Sequence, residues 1–99
     1  MAKEKQIDLV IISARYAPED GRLALVQAYQ RRGPIWSDIL LYDRKRLVDL
    51  MQEGEQVATG RPKEIPGDFR ILARVRLESG RLVVEERQGL GELLGVPQF

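Results

Sequence analysis

Between Leu23 and Tyr42 two apolar runs are mirrored about Arg31-Arg32-Gly33-Pro34, and this stretch constrains the fold more than any other. Glycine beside proline is turn chemistry, and Pro34 has no N–H to give to a ladder. The pattern predicts a β-hairpin whose four-residue loop closes Gln30 on Ile35. Pairing outward from that loop sets Tyr29 opposite Trp36, Gln27 opposite Asp38, Leu25 opposite Leu40 and Leu23 opposite Tyr42, all on one side. Ala24, Val26, Ala28, Ser37, Ile39 and Leu41 fall on the other. Both sides are largely apolar near the base, so the hairpin is expected inside a sheet, covered on both faces. Its outer end, around Gln27, Tyr29, Trp36 and Asp38, is expected to be wet.

The flanking segments extend the same alternation. Ile7 to Tyr16 is rich in β-branched residues and predicts a first strand, and Ala17-Pro18-Glu19-Asp20-Gly21 predicts the turn into the second, Arg22 to Gln30. Ile35 to Tyr42 is the third. Asp43 then stands where a carboxylate accepts the free N–H groups of a helix start, and Gly54 where a helix stops, so a helix is predicted from Arg44 to Glu53. Leu47, Leu50 and Met51 give it one apolar face. Gln56 to Arg61 predicts a fourth strand, and the proline-bracketed Pro62 to Gly67 a loop. Asp68 to Leu77 predicts a fifth strand, with Phe69, Ile71, Ala73, Val75 and Leu77 on one face and Arg70, Leu72, Arg74 and Arg76 on the other. Ser79-Gly80 turns it into a sixth, Arg81 to Arg87. The order β-β-β-α-β-β-β predicts an α+β fold, a curled antiparallel sheet or small β-barrel with one covering helix. Residues 1–99 make one globular domain, ending in an apolar tail over residues 88–99.

Composition narrows function mainly by exclusion. Sixteen Lys and Arg against fifteen Asp and Glu leave a net charge of +1, so no global field draws nucleic acid or an acidic membrane. The absence of cysteine removes disulfides, thiolate catalysis and cysteine-based zinc sites. Histidine is absent as well, which leaves acid–base work to carboxylates, and neither Asp38 nor Glu85-Glu86 has a visible partner. The run from Ile7 to Ile12 is interrupted by Asp8 and followed by no small-residue cleavage pattern, so it is read as a strand, not a signal peptide. No segment reaches the ~18 apolar residues of a membrane span. A cytoplasmic protein without cofactor or metal is the expectation. The preference for arginine over lysine suits a thermophile or a GC-rich genome, which composition does not separate.

Three groups of residues carry what recognition chemistry there is. Tyr29 and Trp36 with Arg31 and Arg32 at the hairpin tip combine aromatic faces with guanidinium groups, the chemistry of a single-stranded nucleic-acid platform. The same residue types are those enriched in protein-binding hot spots, and an aromatic pair across two strands also simply stiffens a hairpin. Arg44 and Arg46 in the first helical turn would join the tip in one basic patch if the fold brings them there. The arginine row of the fifth strand is partly neutralised by the sixth, where Glu78 faces Arg81, Arg74 faces Glu85 and Leu72 faces Arg87. Gly89 to Gly95 has its third glycine one position too late for a dinucleotide loop and too little chain after it. The tail, with Leu94, Val96 and Phe99, suits docking into a partner or closure of the chain's own barrel.

These features lead to a non-catalytic β-rich binding module, one that binds a protein partner or self-associates. The alternative is a weak single-stranded nucleic-acid-binding domain using the aromatic and arginine hairpin tip. An enzyme would be signalled by a pocket with paired carboxylates.

Overall fold

The computed structural model describes residues 7–33, 35–63, 69–85, 93 and 96–99. The described residues form an α+β fold, with seven strands in one curled, half-barrel sheet and one helix between the fourth and fifth. The strands are β1 (Leu9–Tyr16), β2 (Leu23–Arg32), β3 (Ile35–Trp36), β4 (Leu40–Asp43), β5 (Val57–Pro62), β6 (Phe69–Glu78) and β7 (Arg81–Val84), and helix α1 spans Arg44–Gln52. Across the sheet the order is β3-β2-β1-β5-β6-β7, with β4 alongside β2 on the same flank as β3.

The helix begins where the sequence predicts. Asp43 is its N-cap, its carboxylate accepting the Arg46 N–H at 2.7 Å. Leu47 and Leu50 are buried beneath it, and Leu47 joins a core of Leu9, Ile11, Ala14, Val26, Val57, Val75 and Leu82 on one face of the sheet. Because α1 carries the chain from β4 past β2 and β1, β5 arrives parallel to β1, with Leu9 opposite Val57 and Ile11 opposite Thr59. The sheet is therefore not antiparallel throughout. A helical crossover returns a strand in the same direction, which a meander of tight turns does not.

The β2–β3 register also differs from the expectation. Arg32 pairs with Ile35 and Arg31 with Trp36, so two residues close the loop instead of four. Gly33 makes this possible by taking a φ of 62°, the left-handed conformation that two-residue hairpin loops require. Trp36 therefore faces Arg31, not Tyr29.

Beyond Trp36 the third predicted strand breaks. Ser37 accepts the Gln30 N–H on its hydroxyl at 3.0 Å and gives its own N–H to the Gln30 carbonyl at 2.8 Å. One extra residue is absorbed there, and β4 resumes with Ala28 opposite Leu40, Gln27 opposite Leu41 and Val26 opposite Tyr42. An odd shift moves every later side chain to the other face. Tyr42 thus packs on the core beside Val26, while Leu41 is turned away from it. The hairpin is not interior either. Among the described residues no strand pairs with the far side of β3 or β4, which form one edge of the sheet.

A second bulge divides β6. Thr59 pairs with Ala73 but Gly60 pairs with Ile71, leaving Leu72 over. The single row expected from Phe69 to Leu77 is therefore split: Ala73, Val75 and Leu77 stay with the core, and Phe69 and Ile71 are switched to the opposite face. The β6–β7 register is as expected, with Glu78 opposite Arg81 and Arg76 opposite Val83. Arg76 pairs with Glu78 at 3.1 Å and Glu85 at 3.7 Å, so part of this arginine row is neutralised. Arg87, and all of the Gly89 to Gly95 segment except Leu93, lie outside the described residues.

Candidate functional site

On the face opposite the main core, register sets Tyr29 beside Val10 and Val10 beside Ala58. Val10 and Ala58 are both 0% exposed, which a face left to solvent would not give. What closes it is a bend at the Gly60 bulge. A Cβ on Gly60 would lie 2.9 Å from both the Val10 Cγ1 and the Arg70 carbonyl oxygen, so the strand passes against its neighbours where only glycine fits. The bend brings Phe69 to the hairpin tip. Its ring stands 4.9 Å from the Tyr29 ring and 4.9 Å from the Trp36 ring, tilted to the first and edge-on to the second.

Arg31 completes this cluster. Its guanidinium lies over the Trp36 ring at 4.7 Å, its Nε donates to the Ile7 carbonyl at 2.9 Å, and its backbone N–H donates to the Asp8 carbonyl at 2.8 Å. Tyr29, Arg31 and Trp36 are each half-buried. The structure thus brings these three predicted residues together and adds Phe69, which the unbroken alternation of the fifth strand set in one row with Ala73 and Val75.

The other predicted cations are placed differently. Arg32 is exposed at the tip, and Arg46 is exposed and paired with Glu53 at 3.8 Å. Both sit close enough to Tyr42 to favour its ionised form, although burial outweighs them and pushes the hydroxyl above its ordinary range. That hydroxyl donates to Gln30 Oε1 at 3.1 Å. Arg44 points elsewhere, hydrogen-bonded to the Gly80 carbonyl in the β6–β7 turn. The tip and the helix start therefore share Arg32 and Arg46 around Tyr42, with carboxylates interleaved.

One pair of carboxyl groups was not foreseen from sequence. Burial, the Asp8 charge and a hydrogen bond with the Asp8 side chain all raise the Glu55 carboxyl above its usual range. Asp8 is fixed by reciprocal bonds with Gln56, its N–H donating to the Gln56 carbonyl and its Oδ2 accepting the Gln56 N–H, both at 2.8 Å. These bonds lock the start of the parallel β1–β5 pairing. The forty-eight positions separating Asp8 from Gln56 hide the pair from any local pattern.

The tail lies against its own domain. Ala14 bridges Gln98 in parallel, its N–H donating to Pro97 and its carbonyl accepting from Phe99. The Arg15 guanidinium lies 4.5 Å over the Phe99 ring, and its Nε donates to the Phe99 carbonyl at 3.1 Å. Val96 packs on the core, and Leu93 is buried, donating its N–H to the Leu82 carbonyl of β7. Leu94 lies outside the described residues. The chain thus covers part of the β7 edge and part of β1 with its own tail.

The β3–β4 edge has no such cover among the described residues. Ile35, Ile39 and Leu41 along it are 65%, 46% and 59% exposed, and Asp38 is the one charged residue between Ile35 and Tyr42. Natural edges are guarded by lysine, proline, extreme shortness or a covering element. Between Ile35 and Tyr42 the sequence has neither lysine nor proline, and the guard it does have is shortness, since β3 and β4 are two and four residues long. No group of His, Cys, Asp and Glu among the described residues is arranged to hold a metal ion, and none of their helices is long and apolar enough to cross a membrane. No protein-family model matches the chain, and no curated protein or solved structure is significantly similar to it.

Proposed function

We propose that the chain is a non-catalytic binding module that receives a strand of another protein chain on its β3–β4 edge. The observation that carries this reading is the exposure of Ile35, Ile39 and Leu41 along an edge that the described residues leave unpaired. An edge strand offers a row of backbone donors and acceptors for affinity, and its alternate side chains supply selectivity. The aromatic cluster stands behind this edge as support, since Trp36 at the end of β3 is fixed by Phe69 and Arg31.

The nucleic-acid reading is the weaker one. Stacking needs open ring faces, and the Trp36 ring already carries Arg31 on one face and Phe69 against it. Arg31 is committed to the Ile7 carbonyl, and Arg46 shares its position with Glu53.

The test is a titration of the isotope-labelled protein with an extended peptide of alternating valine and threonine flanked by lysines. The expected result is a set of amide shifts concentrated in Ile35 to Asp43 and abolished by Leu41→Lys. Absence of shifts there, or shifts indifferent to the substitution, contradicts the reading.

A further inference from the structure

We infer that the rim of β1 from Ala14 to Tyr16 is a peptide-binding site separate from the β3–β4 edge, held by the chain's own tail as an internal ligand. Its occupant in trans is an extended segment of another protein that displaces the tail and lays an aromatic residue under Arg15. The bend at Gly60 creates the site. β5 accompanies β1 only from Leu9 to Ile11, with Thr59 as its last partner, and then leaves with the arm. β1 runs on to Tyr16 with β2 on its other side, so this stretch keeps a rim of backbone donors and acceptors that no named strand takes.

The tail shows what the rim accepts. Ala14 gives its N–H to the Pro97 carbonyl at 2.8 Å and takes the Phe99 N–H at 3.1 Å, the pattern of a strand laid parallel to β1. Arg15 then covers the Phe99 ring at 4.5 Å and donates to its carbonyl at 3.1 Å. The hold is slight. Among the described residues the tail is joined to β1 by one bridge, and Pro97 and Gln98 beside it are exposed. Pro97 has no N–H, and a strand residue turns its N–H to the same side as its carbonyl, so the tail presents to β1 a position that accepts and cannot donate. Leu93, on the way to the rim, has a φ of 50°, a left-handed conformation that a bulky side chain rarely takes. An incoming strand with an N–H where Pro97 stands and a ring where Phe99 stands offers all that the tail offers and one donor more.

Titration of the isotope-labelled full chain with the capped peptide Ser-Val-Thr-Gln-Phe-Ser tests the inference. The tail competes as a tethered ligand at an effective concentration on the order of millimolar, so peptide is taken to several times that level. Amide shifts are expected at Ala14, Arg15 and Tyr16, with Gln98 and Phe99 moving to the positions of a free chain. The chain carrying Phe99→Ala is expected to bind about two- to five-fold more tightly than wild type, the worth of an exposed cation–π contact taken from the competitor. Peptides with alanine for the phenylalanine, or proline for the threonine, are expected to bind more weakly. The valine–threonine peptide, which has no aromatic residue, is expected to leave Ala14 and Arg15 unshifted. Absence of shifts at the rim in both chains overturns the inference. So do equal affinities of wild type and the Phe99→Ala chain, or indifference to the aromatic residue of the peptide. A Phe99→Ala chain that no longer folds overturns it as well, because the tail is then a fixed part of the core.

Discussion

Phe69 and Tyr29 meet ring to ring at 4.9 Å, although β6 and β2 stand three strand spacings apart in the sheet, about 14 Å. The contact exists because the β5–β6 arm bends at Gly60 and folds its end over Val10. It converts the second face of a sheet into a small core of its own, and it fixes the hairpin tip from which the open edge begins.

Truncating this clasp is expected to cost stability. Phe69→Ala and Trp36→Ala should each destabilise the domain by about 2 to 4 kcal/mol, somewhat less than a fully buried aromatic. Their double-mutant cycle should return a coupling of about 0.5 to 1.5 kcal/mol beyond simple burial. Urea unfolding of the four proteins checks this; additive effects would mean that the rings do not support one another.

Gly60→Ala is expected to destabilise by about 1 to 3 kcal/mol, because the new methyl group meets the Arg70 carbonyl and the Val10 side chain at 2.9 Å. The Arg70 carbonyl is backbone and yields only if the arm moves. Alanine at this position should therefore also loosen the clasp, read as a change in Trp36 fluorescence in the folded protein.

The Glu55 carboxyl gives a pH dependence of definite sign. Its folded-state pKa is raised, so the folded protein holds a proton that the unfolded chain has already released. Stability contributed by this group is present below its ordinary value of 4.5 and is lost as pH rises through the higher folded value. Glu55→Gln, which keeps a donor for Asp8, should remove that loss and stabilise the protein at neutral pH. Thermal melts of both proteins between about pH 4 and 7 provide the comparison; equal slopes would show that the carboxyl is not perturbed.

Much of the fold was legible because its signals are local. The Asp43 cap, the apolar stripe of Leu47 and Leu50 and the Ser79-Gly80 turn lie within a few residues of what they specify, and each element stands where its pattern predicts. What was not legible depends on single inserted residues. The bulge after Trp36 and the bulge at Leu72 leave composition unchanged and exchange the faces of everything beyond them, so Leu41 was grouped with Val26 and Ala28, and Phe69 with Ala73 and Val75, on faces they do not share. Register is weakly specified where both faces are apolar, as they are along Leu40 to Tyr42. The parallel β1–β5 pair and the Asp8–Glu55 contact are long-range consequences of the helix crossover. For the candidate site, Tyr29, Arg31 and Trp36 were recognised as a group, but the edge beside them was hidden by the expectation that it lay inside the sheet.

An oligonucleotide titration separates the two readings of the tip by magnitude. Arg32 and Arg46 both act on Tyr42 there, so single-strand binding through these two, where it occurs, should lose affinity with salt at a slope no steeper than about −1.5, from ~0.7 per phosphate. A steeper slope that collapses in Arg32→Ala would restore the tip as a phosphate-binding surface.

The most direct measurement of the central claim is amide hydrogen exchange at Ile39 to Asp43 as the valine–threonine peptide is added. The edge-pairing account predicts slowing at the outward-facing amides of β4, with β7 and the Ala14 bridge unchanged. Exchange along β4 that is indifferent to the peptide, or slowing that appears elsewhere on the sheet, would contradict it.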